Sequence, residues 1–183
     1  MIKLIPAILA SDLGDLESKI NLLKGKVEEL QIDFCDGKFV PSITPLPEDL
    51  KNLPLPFQLE AHLMVSEPQQ YLEALSQLKT ARITFHIEAV AEPIPLIKQI
   101  KDKNIKVGLA LSPSTALEKV TPYLEQIDEV LVLTVEPGFG GQKMQREQLE
   151  KVKKLKEIFP QEIGIDGGVN GENIGEVAKA GAN

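Results

Sequence analysis

The chain has 183 residues, 43% of them apolar, and a net charge of −7. Acidity of this size argues against nucleic acid or an anionic membrane as partner, and leaves a phosphate to be held only by a local device such as backbone N–H groups. The lone cysteine, Cys35, excludes an internal disulfide, no apolar run approaches the ~18 residues of a membrane span, and Met1–Pro6 is too short and too quickly polar for a signal peptide; a cytoplasmic chain is expected, with residues 1–183 forming one domain.

In chain order, Lys3–Leu9 predicts a first strand, and Asp12–Leu23 a helix with Leu13, Leu16, Ile20 and Leu23 on one stripe. Val27–Cys35 and Phe57–Val65 predict the second and third strands, and Ser66, just before Glu67-Pro68, suits a helix start. A fourth strand is predicted over Ala81–Ile87, then a helix over Glu92–Lys103 carrying Ile94, Ile97 and Ile100 on one face. Ile105–Leu111 predicts the fifth strand, and Ser112 before Pro113-Ser114 again suits a helix start. Glu129–Val135 predicts the sixth strand, Gln145–Ile158 a helix with Leu149, Val152, Leu155 and Ile158 together, and Glu162–Asp166 the seventh strand.

Strands alternating with helices imply a parallel sheet, either open and doubly wound or closed as a barrel. Polar residues favour the barrel. Gln31 and Asp33 share one face of the second strand, and Glu60, His62 and Met64 share one face of the third. A buried strand carries such residues when one face lines a barrel interior whose upper layer is a site. The expected fold is therefore α/β, a (β/α)8 TIM barrel. Seven strands are one too few, and Ala180–Asn183 falls where an eighth should begin, so a barrel truncated before its eighth strand and helix is expected.

Two groups of residues suggest chemistry. Val135–Lys143 follows a strand, precedes a helix and holds Gly138, Gly140 and Gly141, which would let backbone N–H groups approach an anion; Gly167 and Gly168 follow the seventh strand. Read alone, these glycines could equally make tight turns. Asp33, His62 and Asp166 each end a different strand, where catalytic residues gather in barrels. Asp and His suit a divalent ion, and two aspartates from separated strands suit proton transfer at opposite faces of a small substrate. Alone, His62 reads as an interior histidine and Asp33 as a cap or turn residue. Asp36-Gly37 reads as a turn, His86 as a structural or supporting residue, and Cys35 as an apolar wall.

Taken in order, Pro6–Leu9, Ile32–Thr44, His62–Val65, Thr84–Ala89, Lys106–Ala110, Glu136–Gln142 and Asp166–Val169 resemble the motifs of the ribulose-phosphate 3-epimerase family across the whole chain. The resemblance implies an isomerase of the pentose phosphate pathway that interconverts D-ribulose 5-phosphate and D-xylulose 5-phosphate, with Asp33 and Asp166 as the catalytic pair. It implies one divalent metal ion (zinc, manganese, magnesium, iron or cobalt) held by Asp33, His62 and Asp166. Gln31 stands where the family has a histidine ligand, and can offer only an amide oxygen, a weaker donor to zinc. The resemblance places Ala7, His62, Met64, Gly138, Phe139, Gly140, Gly141, Gln142, Gly167 and Gly168 against the substrate. Ala7 replaces a family serine, and Cys35 and Leu133 replace methionines. A ketohexose 6-phosphate epimerase and a non-catalytic sugar-phosphate binder are the competing readings. The expected partners are a small sugar phosphate and further copies of the chain.

Overall fold

A computed structural model describes residues 2–183. Seven strands, β1 (Ala7–Ile8), β2 (Glu29–Cys35), β3 (Gln58–Met64), β4 (Arg82–His86), β5 (Lys106–Leu111), β6 (Glu129–Leu133) and β7 (Glu162–Asp166), form one sheet in sequential order. Every neighbouring pair is parallel. The α-helices are α1 (Leu13–Leu23), α2 (Leu72–Gln77), α3 (Pro93–Asp102), α4 (Leu149–Ile158) and α5 (Ile174–Ala180).

Sequential parallel order alone does not distinguish a flat sheet from a curled one; side-chain reach does. Gln31 on β2 donates to Asp166 on β7 at 3.1 Å. Five strand spacings in a flat sheet would separate them by about 24 Å. The sheet therefore curls as a (β/α) barrel wall, with β2 facing β7 across its interior. Alternation along the strands sorts side chains between two environments. Leu30, Ile32 and Phe34 of β2 pack outward with Leu16 and Ile20 of α1 in the main core, whereas Cys35 packs with Met64 and Val40 in a separate inner cluster.

Local chemistry explains where the elements depart from expectation. The first strand shrinks to two residues because Pro6 has no N–H to donate, although its carbonyl still accepts from Gln31 N at 2.9 Å. Asp12 caps α1, accepting from Asp15 N at 2.9 Å. Ser66 and Ser112 do not cap helices. Ser66 donates its N–H and hydroxyl to Asp36, and Ser112 N donates to Glu88. The segment after Ser66 begins as a 3₁₀ turn, Pro68–Tyr71, before α2, and that after Ser112 holds only two 3₁₀ turns, Leu117–Lys119 and Thr121–Gln126. The predicted Gln145–Ile158 helix starts as a 3₁₀ turn over Arg146–Gln148. A further helix not read from the sequence, α5, ends at Gly181, whose φ of 117° is a left-handed value suited to glycine.

Candidate active site

The interior of the curl holds a cavity of about 400 Å³. Its wall includes every residue that the resemblance assigned to the site: Ala7, Gln31, Asp33, His62, Met64, Gly138 to Gln142, Asp166, Gly167 and Gly168. Asp33 lies two residues before the end of β2, His62 lies directly beside it in register on β3, and Asp166 is the last residue of β7. One carboxylate oxygen of each aspartate and a ring nitrogen of His62 lie within 4.8 Å of one another. That is a donor set a divalent ion accepts.

Hydrogen bonds tie this group together. His62 Nδ1 lies 3.0 Å from Asp33 Oδ1 and 3.5 Å from Asp166 Oδ2. Gln31 Nε2 donates to Asp33 Oδ1 at 3.0 Å and to Asp166 Oδ2 at 3.1 Å. The glutamine thus presents its amide nitrogen, not the expected oxygen, because two carboxylates demand a donor between them. Burial disfavours charge on His62, but the Asp33 hydrogen bond and the two aspartate charges outweigh it and raise the imidazole's pKa. Burial, then the Asp33 charge, raises Asp166 against the opposing pull of His62 and Gln31. Cys35, fully buried beside Met64, is pushed up to about 12 by burial and by Asp33 and Asp36, so its thiol is unreactive and serves as wall.

The two glycine loops meet at the same mouth. Gly168 has a φ of 66°, and a side chain there would strike the backbone of Gln142 and Met144, so glycine is what lets the β7 loop press against the β6 loop. Gly140 and Gly141 face open space, leaving room for a ligand at their backbone. Gln142 turns back on its own loop, donating to Glu136 O at 2.7 Å and Phe139 O at 2.8 Å. Ser42 Oγ, in the loop after β2, donates to Gly138 O at 2.5 Å and joins the two sides of the mouth. Asp36-Gly37 makes the turn expected of it: Asp36 accepts from Lys38 N and Phe39 N, and Gly37 has a φ of 73°.

One cluster escaped sequence reading. Arg82 on β4 bridges Glu60 at 2.8 Å, Glu129 at 3.2 Å and Glu162, forming a polar floor beneath the site. Glu129 also accepts from Thr84 at 2.8 Å. Side chains at Gly108 or Gly164 would collide with the Glu129 carboxylate, so these two glycines make its berth. The available signal was a charged residue within two of the strand runs, Glu60 and Arg82, and at the start of a third, Glu129.

A curled parallel sheet with paired acids at the C-terminal ends of its strands defines a barrel of the kind that hosts enzyme sites. Among solved structures, 3-hexulose-6-phosphate synthase from Salmonella typhimurium superposes with a TM-score of 0.70 at 14% identity, over 99% of this chain and 86% of that one. Phosphoribosyl anthranilate isomerase from Thermotoga maritima does so at 0.63 and 20%, over 97% and 83%, and both likenesses speak to fold alone. The family model described as "Ribulose-phosphate 3 epimerase family" matches residues 3–183. The ribulose-phosphate 3-epimerase of Eremothecium gossypii is 39% identical over 97% of this chain and 81% of its own length. That of Bacillus subtilis is 36% identical over 100% and 88%, and the cytoplasmic isoform of Oryza sativa subsp. japonica 38% over 99% and 83%. The chain belongs to the ribulose-phosphate 3-epimerase family.

Proposed function

We propose that this isomerase interconverts D-ribulose 5-phosphate and D-xylulose 5-phosphate. The observation that carries the reading is the convergence of Asp33 and Asp166, from β2 and β7, on one point beside His62. The names of the relatives favour a ketopentose over a ketohexose phosphate.

One aspartate carboxylate removes the proton at C3, next to the ketone, leaving an enediolate. The other aspartate, carrying a proton, returns it from the opposite face, and the centre is inverted. Atoms balance without a co-reactant: one C–H bond breaks, one forms, and the pair of carboxyls exchanges its proton with solvent between turnovers. Asp33, His62 and Asp166 fit a divalent cation by donor type and spacing. When bound, such a cation supplies Lewis-acid stabilisation to the enediolate oxygens. Gln31 could add an amide oxygen only after rotating its amide, so it is the weak member of the set. Its departure from histidine favours magnesium or manganese over zinc.

The backbone of Gly138–Gly141 and of Gly167-Gly168 holds the phosphate, which is consistent with the open space over Gly140 and Gly141. Met64, Phe139, Gln142 and Ala7 complete the pocket, with Gln142 acting by bracing the loop. We read the chain as one domain in the cytoplasm. Among the described residues no helix is long and apolar enough to cross a membrane, and one relative is named a cytoplasmic isoform. The test is conversion of ribulose 5-phosphate followed by proton NMR, before and after chelation. Turnover that falls on chelation and returns with manganese is expected. Turnover untouched by exhaustive chelation would remove the cation from the scheme, and no turnover with manganese present would reject the activity.

A further inference from the structure

Behind His62, on the side away from the two aspartates, lies a second histidine that the scheme above does not use. His86, at the end of β4, is fully buried, and its Nε2 stands 3.0 Å from His62 Nε2. The two rings meet edge to edge through these nitrogens, 24° from parallel with centroids 5.1 Å apart, and Phe39 packs against His86 at 4.9 Å. His86 Nδ1 lies 3.2 Å from Glu88 Oε2. The hydroxyl of Ser112, 3.5 Å from the same nitrogen, can donate or accept and so imposes no direction.

Glu88 does impose one. Its Oε1 accepts from Ser112 N at 2.8 Å and from the Thr115 hydroxyl. Burial alone would raise its pKa, but the bonds from His86, Thr115 and Ser112 prevail and lower it to about 2. A carboxylate only accepts. His86 must therefore carry its proton on Nδ1 to satisfy Glu88, which leaves Nε2 as a lone pair. That lone pair can be satisfied only by an N–H on His62 Nε2. With its Nε2–H so committed, Nδ1, the atom that faces Asp33 and Asp166, is the only His62 nitrogen free to give up its proton to an arriving cation. In the opposite arrangement His86 would donate to His62 Nε2, and His62 could release its Nδ1 proton to a cation only by becoming an imidazolate.

We propose that Glu88 and His86 are positioning residues that select the tautomer of His62, through a one-way chain of hydrogen bonds running from His62 Nε2 to His86 to the Glu88 carboxylate. This rests on the reading of Asp33, His62 and Asp166 as the cation-holding set. Nothing in the chain moves; its role is to exclude the wrong ring form before a cation arrives. Partners of ligating histidines typically change metal affinity by about 10- to 100-fold when removed.

The chain contains only two histidines, both in this contact, so imidazole nitrogen NMR reports on them without crowding. In the wild-type protein without metal, His86 is expected to show a protonated Nδ1 and an unprotonated Nε2. Glu88→Gln reverses the chain. The amide oxygen stays with Ser112 N and Thr115, so the NH₂ faces His86 Nδ1 and donates to it, moving the His86 proton to Nε2. The expected results are a switched His86 spectrum and a manganese affinity, read by electron paramagnetic resonance, at least tenfold weaker. A wild-type His86 protonated on Nε2 overturns the proposal without any variant. A switched tautomer with unchanged manganese affinity overturns it too. Wild-type protein that shows the expected His86 form yet binds no manganese would uphold the hydrogen-bond direction and contradict the cation reading instead.

Discussion

Asp33 and Asp166 stand beside one imidazole, and their separate duties follow from what each carboxyl can do. Neither Asp33→Asn nor Asp166→Asn can shuttle a proton, so each should abolish epimerisation; general acid–base groups contribute about 10²- to 10⁴-fold, and here both are needed in every turnover. Exchange of the C3 proton with solvent can survive in one of the two, because a single base suffices for wash-in. An Asp166→Asn protein with normal turnover would end the two-base scheme. Gln31 makes a second prediction at this scale. Its amide now bridges both carboxylates. Gln31→His puts an imidazole in its place, and zinc affinity, measured by competition with a chromophoric chelator, should tighten about tenfold or more. Equal affinity in both forms would show that this position takes no part in holding an ion.

The strands and loops contribute through contacts that the linear sequence discloses unevenly. The alternation of Gln31 and Asp33 with Leu30, Ile32 and Phe34 disclosed the two faces of β2, and Asp36-Gly37 disclosed its turn, because both are local patterns. Ser66 and Ser112 misled for a definite reason: their N–H groups are taken by Asp36 and Glu88, acceptors from other loops, and no local pattern reports that. Arg82 was illegible for the same reason, since its partners come from β3, β6 and β7. Arg82→Met should leave three carboxylates without their cation, at a cost of about 3–5 kcal/mol by urea unfolding. Glu129 is already raised, by burial first and by its acidic neighbours. A raised carboxylate contributes stability that is present below its unfolded pKa and is lost as pH rises through the folded value. Without Arg82 that loss grows, so the variant's deficit should be smaller at pH 5 than at pH 8; a deficit independent of pH would contradict the network. Asp36 works in the other direction. Although burial opposes it, bonds from Ser66, Phe39 and Lys38 lower it from 3.8 to about 2. Its contribution is present above 3.8 and is lost as pH falls towards 2. Asp36→Asn should therefore flatten acid unfolding in that window, followed by circular dichroism.

At the scale of the molecule, the curl of the sheet is what brings separate strand ends into one site: β2 and β7 face each other only because the wall bends, and the glycine loops after β6 and β7 then share its mouth. Within the described residues β1 pairs only with β2, and β7 only with β6. Strand edges recruit other strands. We therefore expect the chain to self-associate, which light scattering over a concentration series would register as a mass above that of one chain. A strictly monomeric protein at all concentrations would refute that expectation and leave the site itself untouched. Proton transfer at C3 by two aspartates is tested most directly by incubation with ribulose 5-phosphate and manganese in deuterated water. The expected product is xylulose 5-phosphate carrying deuterium at C3, with neither product nor label when Asp33 and Asp166 are both changed to asparagine. Substrate recovered unlabelled and unconverted from the wild-type protein would contradict that transfer.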